Sequence, residues 1–187
     1  VTVDVDHLPI PVQCRQEGAC YNGYYKKVVY LPIVASLAET GYLVDAVLRE
    51  GKSADASESL EFILPLLDRM EEHICQVASV RFDAAFPSEE LLSGLENRSR
   101  PVGYVGRLRN NAVLDMMAAA HLVLPAAIPG EEPRTFLYDK TYKADPWSRH
   151  RRVVLVVQER PTELFPHYFW LVTSWAPEQM DAAALLE

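Results

Sequence analysis

Three strand patterns crowd into the first fifty residues, and each of the two helix patterns that follow leads into another strand. No other feature of the chain restricts its fold as tightly. Val1–Asp6, VTVDVD, alternates apolar and polar side chains with period two. Pro9–Gly23 reads as a loop rich in Pro, Gly and Asn. YYKKVVYLPIVASL, Tyr24–Leu37, is dense in aromatic and β-branched residues and predicts a strand, with Pro32 marking a bulge or an edge. Past Gly41, LVDAVLRE (Leu43–Glu50) predicts a third strand. Links this short cannot carry the long crossover that parallel neighbours need, so the three strands should pair antiparallel.

Ser57 is placed to cap a helix in which Leu60, Ile63, Leu64, Leu67 and Met70 recur at helical spacing, with Pro65 kinking or splitting it. Gln76–Asp83 gives a fourth strand. Pro87 and Ser88 open a second helix whose first turn is acidic, as the helix dipole favours. Val102–Leu108 gives a fifth strand, which the intervening helix should place parallel to the fourth. The resulting order, β-β-β-α-β-α-β over residues 1–108, is that of a ribonuclease H-like α/β core. Residues 109–175 read as a β-rich insertion. They hold a short helix over 112–123, a Pro/Ala/Gly loop over Leu124–Glu132, and three strands in TFLYDKTYK, RRVVLVVQER and HYFWLVTSW. Trp147, Trp170 and Trp175 are expected to pack this insertion or its junction with the core. Residues 176–187 read as the start of a final core helix.

The first strand carries an oddity. Asp4 and Asp6 lie on one face, because side chains alternate along a strand. Asp83 ends the fourth strand. If strands one and four are neighbours, about 4.8 Å apart, a carboxylate from each faces the same point. Two such acids repel unless a proton or a divalent cation holds them, and hard oxygen ligands suit Mg²⁺ or Mn²⁺. A two-metal site of this kind activates a water or a 3′-hydroxyl for in-line phosphoryl displacement. The competing reading leaves these aspartates as solvated or arginine-paired strand ends.

Charge bears on the partner. A net charge of −8 and a pI near 5.2 argue against a general nucleic-acid binder. Basic residues are nevertheless clustered, at Arg98 and Arg100, at Arg107 and Arg109, and at Arg149–Arg152. No apolar run approaches the roughly 18 residues of a membrane span, and no signal peptide is visible, so the cytosol is the expected compartment. Cys14, Cys20 and Cys75 lack the spacing of a zinc site and read as free thiols.

At these residues the chain resembles a known family. VDVDHLPIPVQCRQEGACYNGYYKKVVYLP, then LREGKSADA, then VRFDAAF, resemble the DDE transposases of bacterial insertion sequences (transposase DDE domain group 1). The shared features are a D-x-D opening strand, a Q-E-G…Y-N-G-Y-Y segment and an R-x-D-x-x-F segment, and the similarity returns in the strands from Thr135 to Trp175. The resemblance implies a ribonuclease H-like core that cuts and joins double-stranded DNA, at transposon ends and target, using two Mg²⁺ or Mn²⁺ ions. It makes Asp6 the first catalytic acid, with Asp4 its competitor, and Asp83 the second. Asp6 and Asp83 would ligate metal. It also implies a homodimer on DNA and a bacterial, nucleoid-associated location.

The family's third acid, a glutamate on the last helix after a Y-x-x-R segment, has no counterpart here. Glu178 lies too early, and Glu187 falls on the early part of that helix. The expectation is a truncated catalytic core, inactive alone. Cys14 stands where the related pattern has glycine, and Met116–Gly130 is unusually apolar for a DNA-facing insertion. Arg107 and Arg109 are the better phosphate contacts and Lys26 and Lys27 the weaker ones. For Tyr21, Asn22, Tyr24 and Tyr25 a turn or core role outweighs DNA contact. Arg81 is as well placed to pair with Asp83, and His7 is either a surface histidine or an extra ligand. Two other readings stay open: a ribonuclease H-like nuclease or resolvase, and a non-catalytic interaction module.

Overall fold

The computed structural model describes residues 1–53, 58–123, 132–160 and 163–186. Ser57, most of the Leu124–Glu132 loop and Glu187 lie outside them. The chain divides into two compact units, Val1–Gly103 and Tyr104–Glu187.

In the first unit, β1 (Thr2–His7) is the organising strand. Val3, Val5 and His7 point into the core while Thr2, Asp4 and Asp6 take the opposite face, the period-two alternation that VTVDVD predicts. The expected Tyr24–Leu37 strand is two strands. β4 (Lys27–Tyr30) and β5 (Ile33–Leu37) are separated at Leu31–Pro32, where the proline lacks a ladder donor and its carbonyl instead accepts from Leu8 N at 3.1 Å. β5 pairs antiparallel with β1 and with β6 (Leu43–Val47).

β4 leaves that sheet. It is the middle of a three-stranded ribbon with β2 (Ile10–Pro11) and β3 (Cys20–Asn22), so the expected Pro9–Gly23 loop holds two short strands. The ribbon is anchored. Gly51 lies so close to it that a Cβ there would meet Val29 O at 2.0 Å and Cys20 O at 2.7 Å. Gly51 N donates to Gly18 O, and the Asn22 side chain donates to Gly51 O at 2.8 Å.

α1 (Ser59–His73) runs through Pro65 without splitting. Pro65 and Glu61, whose carbonyl loses its helical donor, are both exposed, so water can satisfy the orphaned group. Ile63, Leu66, Leu67 and Met70 are buried, and Leu60 and Leu64 lie over Gly94 of α2 (Glu89–Glu96). α2 starts as expected: the Ser88 hydroxyl accepts from Leu91 N at 3.2 Å, satisfying a free donor of the first turn. Between the helices, β7 (Ser79–Phe82) pairs parallel with β1, from Thr2 opposite Ser79 to Val5 opposite Phe82.

The second unit is an antiparallel sheet. β8 (Gly103–Leu108) pairs with β11 (His167–Thr173), which pairs with β10 (Arg151–Glu159), which pairs with β9 (Arg134–Tyr142). β10 is central and nearly continuously buried, which suits its VVLVV run. Val154, Val156, Leu171 and Leu185 form a core against which Trp175 and Met180 pack. Trp170 is wholly buried, and Trp147 packs edge-on to Tyr142 under the Arg151 guanidinium. α3 (Ala112–Ala119) is capped by Asn111, whose side chain accepts from Val113 N and Leu114 N.

The expected helical start at 176 takes the form of turns. Ala176–Met180 makes one turn, and Arg152 then draws the Trp175 and Met180 carbonyls onto its guanidinium. Asp181 accepts from Ala184 N to begin a short 3₁₀ turn, Ala184–Leu186. No helix among the described residues is long and apolar enough to cross a membrane.

Candidate active site

The parallel register of β1 and β7 decides what each acid of the first unit can do. Asp4 lies opposite Arg81. Arg81 grips it in a two-point fork, Nε to Oδ1 at 2.7 Å and Nη2 to Oδ2 at 2.9 Å, and this pairing raises the pKa of Arg81. Both carboxylate oxygens of Asp4 are therefore engaged. The pairing of Arg81 with Asp83 suggested by the sequence is not made. Residues i and i+2 stand farther apart along one strand than direct neighbours across two.

The β1–β7 register ends at the pair Val5 and Phe82, and Asp6 and Asp83 are the next residues along the chain from that pair, Asp83 just past the end of β7. Both are exposed. Each engages one oxygen with nearby backbone: Asp6 Oδ1 accepts from His7 N at 2.7 Å, and Asp83 Oδ1 from Ala85 N at 2.8 Å. Among the described residues neither acid has a cationic partner. Several other acids are paired with arginine: Asp45 with Arg69, Asp68 and Glu71 with Arg98, Asp139 with Arg152, Glu159 with Arg134.

Immediately behind the two acids the strand ends are locked to each other. The His7 ring stacks on Phe86 with centroids 4.3 Å apart and planes 14° from parallel. Phe86 is fully buried and its amide closes the turn that starts at Asp83. His7 is 8% exposed and its Nε2 lies 3.0 Å from Arg49 Nη2. A guanidinium only donates, so Nε2 accepts. His7 is thus neither a surface histidine nor an available ligand. The sequence signal for this clamp was the phenylalanine three residues after Asp83, which spacing alone left without a role.

The donor set suits a hard divalent cation in kind: carboxylate oxygens on neighbouring strand ends, partly unpaired and open to solvent. It is incomplete in number. Among the described residues no group of three or more His, Cys, Asp or Glu side chains gathers to hold a metal.

The basic candidates fall in both units. Lys26 and Lys27 are exposed at the ribbon turn, where Asn22 Oδ1 accepts from Tyr24 N and Tyr25 N. Asn22 is therefore a turn residue, while Tyr24 stays 87% exposed and meets Tyr25 edge-on. In the second unit Arg107 lies 4.6 Å over the Phe169 ring, and Arg109 is exposed at the end of β8.

Comparison with known proteins adds to this geometry. The profile described as "Transposase DDE domain group 1" matches residues 1–187. A solved structure described as a piggyBac transposase synaptic complex with hairpin DNA superposes with a TM-score of 0.54 at 12% identity, over 98% of this chain and 38% of that one. At that identity the likeness establishes the fold, a ribonuclease H-like α/β architecture, and the chain spans well under half of that transposase's length. No curated protein matches the sequence.

Proposed function

This chain belongs to the transposase DDE domain group 1 family, and from that premise we propose that it carries the catalytic core of a DNA transposase that cuts and joins strands with Mg²⁺ or Mn²⁺. The supporting observation is the parallel pairing of β1 with β7, with Asp6 and Asp83 next along the chain after the last paired residues and Asp4 held by Arg81. In this reading Asp6 and Asp83 hold the metal and Asp4 is structural. A divalent ion bound there would polarise the scissile phosphate and lower the pKa of the attacking hydroxyl. The protein's own part is positional. Backbone amides of His7 and Ala85 orient one oxygen of each acid, and the His7–Phe86 stack fixes the spacing of the two strand ends.

A two-ion centre calls for a third acid. We place it, as the family resemblance implies, on a helix C-terminal to the β-rich segment 109–175, which we read as an insertion in the core. Lys26, Lys27, Arg107 and Arg109 are assigned to DNA phosphates, and the working species on DNA to a homodimer in the bacterial nucleoid.

Manganese titration followed by electron paramagnetic resonance tests the centre. Asp6→Asn and Asp83→Asn should each weaken Mn²⁺ binding by about 10- to 100-fold, whereas Asp4→Asn should leave it within a few-fold. Unchanged binding in both of the first two variants would remove the centre. A loss confined to Asp4→Asn would reassign it.

A further inference from the structure

We propose that the β-ribbon Ile10–Tyr30 carries a receiving site for an unpaired nucleotide of the DNA, in the groove lined by Gln13, Cys14, Arg15, Gln16, Tyr21 and Val28. The proposal rests on the DNA reading above and adds a site that reading does not contain.

The groove has a volume of about 510 Å³, within the roughly 300–1,000 Å³ range of small-molecule sites. Its floor is apolar. Tyr21 and Val28 are cross-strand partners on the outer face of the ribbon, 64% and 40% exposed, while their neighbours Cys20 and Val29 form the next pair and Val29 is fully buried on the inner face. Stacking on an aromatic ring is indifferent to base identity, because every base has a π-face. Gln13 and Gln16 bring amides that can both donate to and accept from a base edge, and Arg15 brings a fork suited to phosphate.

Charge selects the same surface. The chain is acidic overall and most of its arginines are engaged by carboxylates. The ribbon reverses this. Arg15, Lys26 and Lys27 face a single acid, Glu17, and none of the three has a carboxylate partner among the described residues.

The groove is also tied to the acids through the chain. Val12 on its wall follows Asp6 by six residues, and six extended residues reach at most about 22 Å. A strand held at Asp6 and Asp83 is then a few nucleotides at most from the near wall of the groove. The ribbon is held rigidly for such a role by the close approach of Gly51 and by the Tyr30 hydroxyl, which donates to Glu17 O.

Fluorescence anisotropy of the 187-residue chain tests the site at low salt with two probes: a blunt duplex, and the same duplex with a short single-stranded extension. The extension should tighten binding about tenfold, from stacking contributions of the size measured for single bases. That preference should vanish in Tyr21→Ala, persist in Tyr21→Phe, and vanish when the extension is abasic. Cys14 alkylation should slow with the extended probe and not with the blunt one. If both probes bind alike, or if the preference survives Tyr21→Ala, the groove is not the receiving site while the DNA reading stands. If neither probe binds, the DNA reading fails and the groove with it.

Discussion

Lys26 is the non-glycine residue with a positive φ among those described, at 53°. It closes the turn between β3 and β4, where a left-handed backbone is required. A β-carbon there costs about 1 kcal/mol relative to glycine, and strained residues of this sort persist where the side chain serves another purpose. Nothing in the turn uses the ammonium group, and DNA phosphate would. Lys26→Gly should therefore raise unfolding free energy by about 0.5–1 kcal/mol in urea denaturation while weakening DNA binding. A variant that loses stability, or gains it with unchanged DNA affinity, would show that the lysine is present for a reason internal to the fold. Asp4 illustrates the converse. Strand period could not separate it from Asp6, because period sets a face and says nothing about partners, and only the family resemblance favoured Asp6. Only the register that brings Arg81 alongside separates the structural acid from the candidate catalytic one.

Among elements, the attachment of the ribbon is the most exposed to test, because two glycines make opposite demands. At Gly51 an added Cβ would meet backbone, Val29 O at 2.0 Å and Cys20 O at 2.7 Å, so the ribbon itself must move. At Gly94 the nearest atoms are the tips of Leu60 and Leu64, at 2.9 and 3.2 Å, which can rotate away. Gly51→Ala should cost upwards of about 1–3 kcal/mol as an overpacking error. Gly94→Ala, in the middle of α2, regains helix propensity of about 1 kcal/mol and should be near neutral. Equal losses in parallel urea melts would mean that the contact at Gly51 is not rigid.

The same elements show what was legible in the sequence. The α/β order, the Ser88 cap and the three strands after Arg134 followed from local periodicity and capping. The ribbon did not, because two- and three-residue strands carry no period to read, and because Pro32, which marked a bulge or an edge in the run from Tyr24 to Leu37, does not say that the chain changes sheets there. The turn at Ala176–Met180 was missed for a related reason: Arg152, distant in sequence, takes the carbonyls that a helix would need.

On the scale of the whole molecule, a net charge of −8 should repel DNA, and the DNA reading survives only if binding is carried by local unpaired cations. The two cases differ in the sign of their salt dependence. Repulsion between an acidic protein and DNA is screened by salt, with a Debye length of about 10 Å at 0.1 M, so binding governed by net charge would strengthen as salt is added. Phosphate contacts release counterions, and affinity then falls with a log–log slope of about −0.9 per contact. If Arg15, Lys26, Lys27, Arg107 and Arg109 each meet a phosphate, duplex affinity should fall with a slope near −4.5, about 500-fold between 50 and 200 mM salt. Replacing Lys26 and Lys27 together by alanine should flatten the slope by nearly two units, leaving a drop of about 40-fold. Because the two lysines are exposed, with no carboxylate partner among the described residues, their removal should not disturb folding, and unchanged thermal melting of the double variant would verify that. A slope that their removal leaves unchanged would move the DNA contact away from the ribbon and toward Arg107 and Arg109, whereas an affinity that climbs with salt would mean that no cluster of cations on this chain engages phosphate at all.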